Sequence, residues 1–296
     1  MNMSPVLTPS PFPELLKIPQ AAALAVVFLG GLLLAGCGGD ASGALSGGPG
    51  IAEFEAPDAS FADNIASLSD VIKRNPGNAQ AYNTRGTAYA RAGRYQEAIA
   101  DFTVAIKLNP GDAAAFTNRA LAERQINQND AALADFSHAI SANPNRAPAY
   151  LGRANLLRAR GNLQDAMSDL DQAIKLNPEG AQAFHARGLI FQRNGDHNRA
   201  VTDFDNAIDR DPFAAAPYIS RGQSLTELGK YDLAIEDFNA ALNVSNKNAD
   251  AWAGLGLAYE KQGDRAKASE SYGRALIVDP SNKQARDGQS RSGGRA

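Results

Sequence analysis

The chain has 296 residues, of which 44% are hydrophobic and 21% are charged, and its formal net charge is −3 at pH 7. This charge argues against a nucleic acid partner, because nucleic-acid-binding proteins present strongly basic surfaces. The single cysteine, Cys37, excludes a disulfide within one chain, so the fold must be stabilised by packing alone.

The first 36 residues have the pattern of a secretory signal. The apolar run from Ala21 to Leu34 is too short to span a bilayer comfortably but suits the hydrophobic region of such a signal. It ends in Leu34-Ala35-Gly36-Cys37, which resembles the lipobox of bacterial lipoproteins. The resemblance implies that residues 1–36 are removed as a signal peptide and that Cys37 becomes a lipid-modified first residue carrying palmitate-type acyl chains. The alternatives are a cysteine placed by chance and a short anchor that stays uncleaved.

The residues after the cysteine suggest where such a lipoprotein would sit. Gly38, rather than an aspartate, resembles the outer-membrane sorting signal of enteric bacteria, which implies a periplasm-facing lipoprotein of a Gram-negative outer membrane. Several acyl chains anchor firmly, because each buried methylene contributes about 0.8 kcal/mol. Residues 37–57 are rich in Gly, Ala and Ser and are predicted to form a flexible tether with a reach of about 25 Å.

Residues 58–78 are predicted to contain one capping helix. Five apolar residues recur there at helical spacing before the pattern closes at Asn75-Pro76: Phe61, Ile65, Leu68, Val71 and Ile72. A lone amphipathic helix at this place would cover the edge of a helical array. The same helix suits pairing with a second copy, so the oligomeric state is left open.

From Ala79 to Pro280 the sequence repeats with a period of 34 residues, which indicates one supersecondary unit copied and stacked. Six units begin at Ala79, Ala113, Ala147, Ala181, Ala215 and Ala249. Position 32 of the unit is proline except at Asn246: Pro110, Pro144, Pro178, Pro212 and Pro280. Alanine occupies position 20 in every unit (Ala98, Ala132, Ala166, Ala200, Ala234 and Ala268) and position 27 in every unit (Ala105, Ala139, Ala173, Ala207, Ala241 and Ala275).

Each unit is predicted to form two helices separated by a left-handed residue at position 15, where Gly or Asn is favoured: Gly93, Asn127, Gly161, Gly195, Gly229 and Gly263. In the first helix, a large apolar residue at position 4 precedes a small residue at position 8, which leaves room for a facing ring. The apolar stripes of both helices are predicted to form the core.

This pattern resembles the tetratricopeptide repeat family over residues 79–280. The resemblance implies an all-α, right-handed superhelical solenoid of six tandem helix-turn-helix hairpins that binds protein or peptide partners. Asn246, in place of proline, predicts a looser joint between the fifth and sixth units. Glu123 occupies position 11, where the family usually has a large apolar residue. Residues 281–296 are predicted to form a short closing helix and then a disordered tail from residue 286.

Positions 7 and 23 are predicted to form a structural ladder of ion pairs. In the first five units these positions are Arg and Asp, and in the sixth both are lost together, as Leu255 and Ser271. The two positions are equally far from the turn, so they lie level across the hairpin. Because buried charges must be paired, the ladder is favoured over an anion-binding rail. The predicted pairs are Arg85–Asp101, Arg119–Asp135, Arg153–Asp169, Arg187–Asp203 and Arg221–Asp237.

Positions 2, 5, 9 and 12 of each first helix are predicted to line one groove, because the 100° helical step places them on the face opposite the core. The candidate partner-binding residues are Asn83, Thr117, Leu121, Arg124, Asn155, Arg158, His185 and Gln192. This surface suits an extended peptide with acidic and apolar side chains, held by Arg124, Arg158 and Asn155. The alternative is that these residues are only a solvated face. Lysine is absent from the positions that the carboxylate clamp of chaperone-binding members requires, so that activity is not implied.

The sequence offers no catalytic constellation, so an enzyme is not expected. His138, His185 and His197 lie in different repeats or lack metal-ligand spacing, and no Gly-Lys-Ser/Thr phosphate loop is present. No cofactor and no metal are therefore expected.

The combination of lipobox, tether and regular repeats resembles the NlpI-like lipoproteins. That resemblance implies an adaptor that brings a periplasmic protease to peptidoglycan hydrolases of the cell wall. Two alternatives stay open: a pilotin-type lipoprotein that escorts a secretin or pilus component, and a structural tether of the envelope.

Overall fold

The computed structural model of the protein describes residues 60–293, with side chains for 64–292. Fourteen helices and no strand form this described part: α1 Ser60–Arg74, α2 Ala79–Arg91, α3 Tyr95–Leu108, α4 Ala113–Gln125, α5 Asn129–Ala142, α6 Ala147–Ala159, α7 Leu163–Leu176, α8 Ala181–Arg193, α9 His197–Arg210, α10 Ala215–Glu227, α11 Tyr231–Val244, α12 Ala249–Gln262, α13 Arg265–Val278 and α14 Lys283–Gly293. Consecutive helices pack on each other, from α2 with α3 to α12 with α13. The predicted all-α repeat superhelix of six hairpins is therefore confirmed.

The turn inside each hairpin is made by the residue at position 15. Five glycines adopt positive φ there, from +72° at Gly93 to +96° at Gly263, and Asn127 adopts +60° in the second unit. The left-handed conformation reverses the chain after the first helix, and asparagine is the non-glycine residue that tolerates it most readily. The second helix ends two residues before position 32 in every unit, and in five units a proline at position 32 prevents the helix from continuing.

The core between layers is built around the side chain at position 24. These side chains are almost fully buried: Phe102, Phe136, Leu170, Phe204, Phe238 and Tyr272. Several rings lie directly on helical glycines. A Cβ atom on Gly152 would lie 2.2 Å from the ring of Phe136, and one on Gly86 would lie 2.7 Å from Phe102. Because these positions carry glycine, the backbone of one helix can lie directly against the ring from a neighbouring helix.

The large residues at position 4 are less buried than predicted. Phe184 is buried, but Tyr82, Phe116, Tyr150, Tyr218 and Trp252 are only half-buried. In the first five units, position 4 lies one helical turn before the arginine at position 7. The guanidinium of Arg85 lies 5.7 Å from the Tyr82 ring centre, and that of Arg119 lies 5.8 Å from Phe116. These rings therefore lie between the apolar core and a row of cations.

The C-terminal end departs from the expected disordered tail, because helix α14 continues to Gly293. Ala285 is fully buried, and a Cβ atom on Gly288 would lie 2.2 Å from the Tyr272 ring. Arg291 donates two hydrogen bonds to Glu260, at 2.7 and 2.9 Å. Tertiary contacts thus extend the predicted short closing helix into residues that were expected to be disordered.

The joint between the fifth and sixth units keeps the regular spacing despite Asn246. Helix α11 ends at Val244 and α12 begins at Ala249, as in the other units. The indole N–H of Trp252 donates to the Asn246 carbonyl at 3.0 Å, which ties this turn to the next helix. At the other end, α1 falls within the predicted capping segment 58–78. The predicted signal peptide 1–36, Cys37 and the tether 37–57 lie outside the described residues.

Candidate functional site

Each ladder arginine contacts the aspartate predicted for it. In all five pairs Nε and Nη2 of the arginine donate to the two carboxylate oxygens of the aspartate, at 2.6–2.9 Å. The five aspartates are buried. This fork-to-fork geometry is the strongest arrangement of a guanidinium with a carboxylate, and it fixes the first helix of each hairpin to the second.

The third donor of each arginine connects neighbouring units, which the sequence analysis did not predict. Nη1 donates to position 25 of the preceding second helix at 2.5–3.2 Å, where the acceptors are Ser69, Thr103, Ser137, Asp171 and Asp205. Each residue at position 25 of these helices has a side-chain oxygen, and this recurrence in the sequence could have predicted the contact. The ladder therefore holds successive hairpins together as well as each hairpin.

The electrostatics of the ladder favour a structural role over ligand binding. The hydrogen bond with Asp135 raises the pKa of Arg119, and Asp101 does the same for Arg85. In the last ion pair, or rung, of the ladder, Arg221–Asp237, burial raises the pKa of Asp237, while Arg221 opposes that effect. Because Nε, Nη1 and Nη2 of each arginine bind neighbouring side chains, little of the guanidinium is left for an external anion.

Glu123 lies beside the second rung as an additional buried carboxyl. It is 6% exposed, and its nearest charged partner is Arg119, with Nε 3.8 Å from Oε1. Among the described residues, Oε2 has no hydrogen-bonding partner. Burial and the nearby Asp135 raise the pKa of Glu123 to about 7, and Arg119 only partly opposes this. The folded protein therefore retains a proton that the unfolded chain releases near its ordinary pKa of about 4.3.

We expect Glu123 to make the protein less stable as the pH rises. Since the folded-state pKa is the higher one, the stability that this proton contributes is fully present below about pH 4 and is lost as the pH rises to about 7. Glu123→Gln should raise the urea midpoint at pH 8 and leave it nearly unchanged at pH 4. Glu270→Gln, at an exposed position on α13, is the matched control. Equal pH dependence of the urea midpoint in wild type and Glu123→Gln would contradict this origin.

Four of the eight predicted groove residues are buried: Asn83, Thr117, Asn155 and His185. Three of them make internal hydrogen bonds, and those of Asn83 and His185 join neighbouring units. Asn83 Oδ1 accepts from Asn118 at 3.0 Å, Thr117 Oγ1 accepts from Arg146 at 2.7 Å, and His185 Nε2 lies 3.1 Å from Ser220 Oγ. The prediction of partner-binding residues therefore needs correction at these three positions. Position 5 lies where adjacent first helices meet.

The other predicted groove residues are half-buried. Gln192 bridges to the next first helix, because its amide nitrogen donates to the Ser220 carbonyl at 2.9 Å and to Ser224 Oγ at 3.0 Å. Leu121 packs against the core of the second unit. Arg124 and Arg158 are both half-buried, one on α4 and one on α6. Gln192 thus helps to hold the array together.

Asn155 and Arg158 differ from their neighbours in lacking internal partners. Within the described residues, neither amide atom of Asn155 forms a hydrogen bond, and the same holds for Nε of Arg158. Burial lowers the pKa of Arg158, and the nearby Arg193 lowers it further. Burial, followed by the charge of Arg158, lowers the pKa of His185 to about 4, so this histidine is neutral at pH 7. The third and fourth units thus bring together two arginines, a neutral histidine and an unsatisfied amide.

Two cavities flank this cluster along the array. One of about 580 Å³ lies between α1 and α2, lined by Asn64, Leu68, Gln80, Asn83, Thr87 and Arg91. Another of about 380 Å³ is lined by Gln192, Gln223, Thr226, Glu227, Leu257 and Gln284, the last of them from α14. Both are lined mainly by uncharged polar side chains.

Residues 60–293 contain no group of three or more His, Cys, Asp or Glu side chains arranged to hold a metal ion. None of the helices in the same range has the length and apolar content that a bilayer crossing requires.

Family models match most of the repeat array. Models described as tetratricopeptide repeat match residues 60–113, 113–146, 181–213 and 249–282. One described as TPR repeat matches residues 154–195 and 222–263. Together these ranges cover more than half of the chain, and three of them begin where the 34-residue units begin. The first includes α1, so this helix takes part in the repeat pattern.

Solved structures share the fold at low sequence identity. The chain matches the crystal structure of the APC/C hetero-tetramer Cut9–Hcn1 with a TM-score of 0.70 and 20% identity, covering 78% of this chain and 46% of that one. It matches PilF of Pseudomonas aeruginosa with 0.66 and 17% identity, covering 74% and 99%. It matches PilW, a type IV pilus biogenesis factor, with 0.63 and 19% identity, covering 71% and 97%. No curated protein matches the sequence.

Proposed function

Because this chain belongs to the tetratricopeptide repeat family, we propose that it is a non-enzymatic scaffold that binds protein or peptide partners in the bacterial envelope. The observation that carries the proposal is the array itself. Six hairpins and two flanking helices in one register account for residues 60–293. Stacked hairpins of this kind generate extended binding surfaces, and each unit contributes a few side chains.

The proposed place of action is a membrane surface, with the chain anchored by acyl groups on Cys37. The support is the order Leu34-Ala35-Gly36-Cys37 at the end of an apolar run, followed by a Gly- and Ser-rich stretch. The glycine after the cysteine favours the periplasmic face of the outer membrane. A tether of ~20 residues with a reach of about 25 Å would let the array contact partners that are not themselves in the membrane.

The finer role that we propose is an adaptor that links a periplasmic protease to peptidoglycan hydrolases, as the combination of lipobox, tether and repeats implies. The alternative is a pilotin-type assembly factor. It is the second candidate because PilF and PilW match this chain over 99% and 97% of their own lengths. At 17% and 19% identity that likeness shows the fold alone, so partner capture must decide between the two roles.

The test is a cross-linked pull-down from membranes of cells that produce the full chain. Three proteins are compared: wild type, Cys37→Ser and the charge reversal Arg124→Glu/Arg158→Glu. We expect wild type to sediment with the outer membrane and to be labelled by radioactive palmitate, and Cys37→Ser to lose both properties. We expect the wild-type pull-down to contain a protease and wall hydrolases, and the charge reversal to lose them.

The other outcomes identify which part of the proposal fails. A secretin or pilus subunit in the pull-down would establish the pilotin role instead. If wild type is not labelled by palmitate, the proposal of a lipid anchor on Cys37 is wrong. Recovery of the same partners with the charge reversal would place the contact elsewhere on the array. A pull-down that yields no protein partner at all would overturn the scaffold function.

A further inference from the structure

We propose that copies of this chain associate head to tail: helix α14 of one copy packs against α1 and α2 of the next and completes a further hairpin. Such a contact extends the proposed scaffold function, because it joins the surfaces of several copies into one array. It does not depend on which partners those surfaces bind. The basis is the 34-residue register, which gives both terminal helices a place within a repeat unit.

Helix α1 has the register of a second helix, and one of its faces is open. Asn75-Pro76 falls at positions 31 and 32, so Leu68 and Val71 fall at positions 24 and 27. In all six units the side chains at these two positions are almost fully buried. In α1, by contrast, Leu68 is half-buried and Val71 is 39% exposed. Within the described residues, the face that a first helix covers in the other units is therefore uncovered.

A cavity of about 580 Å³ lies beside this open face, between α1 and α2. Its lining includes Leu68 from α1 and, from α2, Thr84 and Ala88 at positions 6 and 10 of the first unit. In a later unit position 6 lies against the preceding hairpin, since a Cβ atom on Gly152 would lie 2.2 Å from the Phe136 ring. Thr84, at the equivalent position, is exposed. The cavity thus lies where a preceding first helix would pack.

The residues of the same chain that fall at this place in the register are poor candidates to fill it. Residues 45–57 would be the first helix before α1, but they belong to the predicted tether and include Gly47-Gly48-Pro49-Gly50. Glycine and proline are the residues least favourable in a helix interior. A helix from a second copy is therefore the better occupant.

Helix α14 is the matching half unit. The register of a seventh unit places Ala285 and Gly288 at positions 3 and 6, and both pack on the sixth unit, as first helices do. On the outer face of α14, Arg286 and Ser290 are exposed. Ser290 falls at position 8, where a small residue leaves room for the side chain at position 24 of the second helix. In a head-to-tail pair, that side chain is Leu68 of the next copy.

The charges at the two ends are complementary. Within the sixth hairpin, the guanidinium of Arg274 at position 26 lies 4.8 Å from the ring centre of Trp252 at position 4, so these two positions are neighbours. The same positions carry Asp70 on α1 and Arg286 on α14. Asp70 is 57% exposed and Arg286 is exposed, so both are accessible to a second copy. Completing the hairpin brings these opposite charges together.

A hydrogen bond across the same interface follows from the contacts between successive first helices. His185 at position 5 lies 3.1 Å from Ser220 at position 6 of the next unit. The equivalent pair across the interface is Asp287 of α14 and Thr84 of the next copy. The hydroxyl of Thr84 can donate to the carboxylate of Asp287.

The completed hairpin lacks a charged rung, because position 7 is Gln289 and position 23 is Ser67. We therefore expect the association to be reversible and to depend on concentration. A head-to-tail contact does not close on itself, so each added copy leaves a free end for another.

The test is sedimentation velocity of the purified full chain in detergent micelles over a series of concentrations. We expect wild type to pass from monomer to dimer and then to longer chains. Arg286→Glu and Asp70→Lys should each raise the concentration needed for association by about tenfold. The double variant restores a pair of opposite charges and should associate nearly as well as wild type. Lys107→Glu, which reverses an exposed charge on α3, is the matched control and should behave like wild type.

Blocking one end at a time tests the direction of the contact. Ser290→Trp fills position 8 of α14, and Leu68→Glu places a charge on the open face of α1. Each variant alone should stay monomeric, whereas an equal mixture should form dimers and stop there, because one competent pair of ends remains. Circular dichroism checks that both variants keep the helix content of wild type.

Three results would overturn head-to-tail association. They are a wild type that stays monomeric at every concentration, a wild type that stops at a dimer, and a double charge variant that associates no better than the single ones. If such a chain still captures partners from membranes, the scaffold function stands and only the self-association fails.

Discussion

Asp169→Asn should lower the melting temperature by on the order of 10 °C, and more than the double variant Asp169→Asn/Arg153→Leu. The Asp169 side chain is 8% exposed and accepts two hydrogen bonds from Arg153, at 2.7 and 2.8 Å. Removing one partner of a buried pair leaves an uncompensated charge and costs about 3–5 kcal/mol. For a protein of this size each kcal/mol shifts the melting temperature by about 2–4 °C.

The double variant should recover part of the loss because the fold already contains an uncharged version of this rung. The sixth unit has Leu255 at position 7 and Ser271 at position 23, and Leu255 is buried in the core. Leu133 and Leu157 lie beside Arg153, so a leucine there has apolar neighbours. The melting temperatures of wild type, both single variants and the double variant form a double-mutant cycle, which measures the coupling between the two residues. If the two single losses simply add, the pair is not a coupled unit.

An exposed ion pair serves as the control for this cycle. Arg160 and Asp130 also join two units, but their side chains are 44% and 92% exposed. Exposed pairs contribute about 0–1 kcal/mol, because water screens them and because ordering two long side chains costs entropy. Asp130→Asn should therefore shift the melting temperature by less than about 4 °C.

The hairpin and its charged rung could be predicted because both follow from position within one unit. The left-handed residue at position 15 fixes the turn, and positions 7 and 23 lie equally far from it. The joint loss at Leu255 and Ser271 then identified the partners. The link from Arg119 Nη1 to Thr103 could not be derived in the same way, because it depends on how far one unit rotates relative to the next.

The same limitation explains why some of the predicted groove residues needed correction. A helical wheel places positions 5 and 9 on one exposed face, but it contains no information about the neighbouring first helix. Asn83 meets Asn118 of the next unit, and His185 meets Ser220. Asn155 has no such partner, and only the structure distinguishes it from these residues. The extension of helix α14 beyond residue 285 was missed for a related reason: Arg291 and Gly288 contact Glu260 and Tyr272 of the sixth unit.

Phe238→Ala should separate the sixth unit from the rest of the array. The ring is 1% exposed and lies against two glycines. A Cβ atom on Gly222 of its own hairpin would lie 3.0 Å from the ring, and one on Gly254 of the next would lie 2.4 Å away. Phe→Ala in a core costs about 3–5 kcal/mol. No arginine from α12 reinforces this joint, because position 7 of the sixth unit is Leu255.

Phe204→Ala is the matched control, because the joint between the fourth and fifth units has a rung. Phe204 is also fully buried, and a Cβ atom on Gly188 would lie 2.6 Å from its ring. Across that joint Arg221 donates to Asp205 at 2.5 Å while it also binds Asp237. We expect a similar loss of stability in Phe204→Ala, but with the units still unfolding together.

The measurement uses the only tryptophan of the chain, Trp252, which lies on α12 in the sixth unit. In urea, circular dichroism follows all helices, whereas Trp252 fluorescence follows the sixth unit. Wild type and Phe204→Ala should give coincident transitions, because neighbouring units are tightly coupled. In Phe238→Ala the fluorescence transition should move to lower urea than the dichroism transition, since the last hairpin and α14 unfold first. Coincident transitions in Phe238→Ala would show that the remaining contacts of Trp252 and Leu255 are enough to couple this joint.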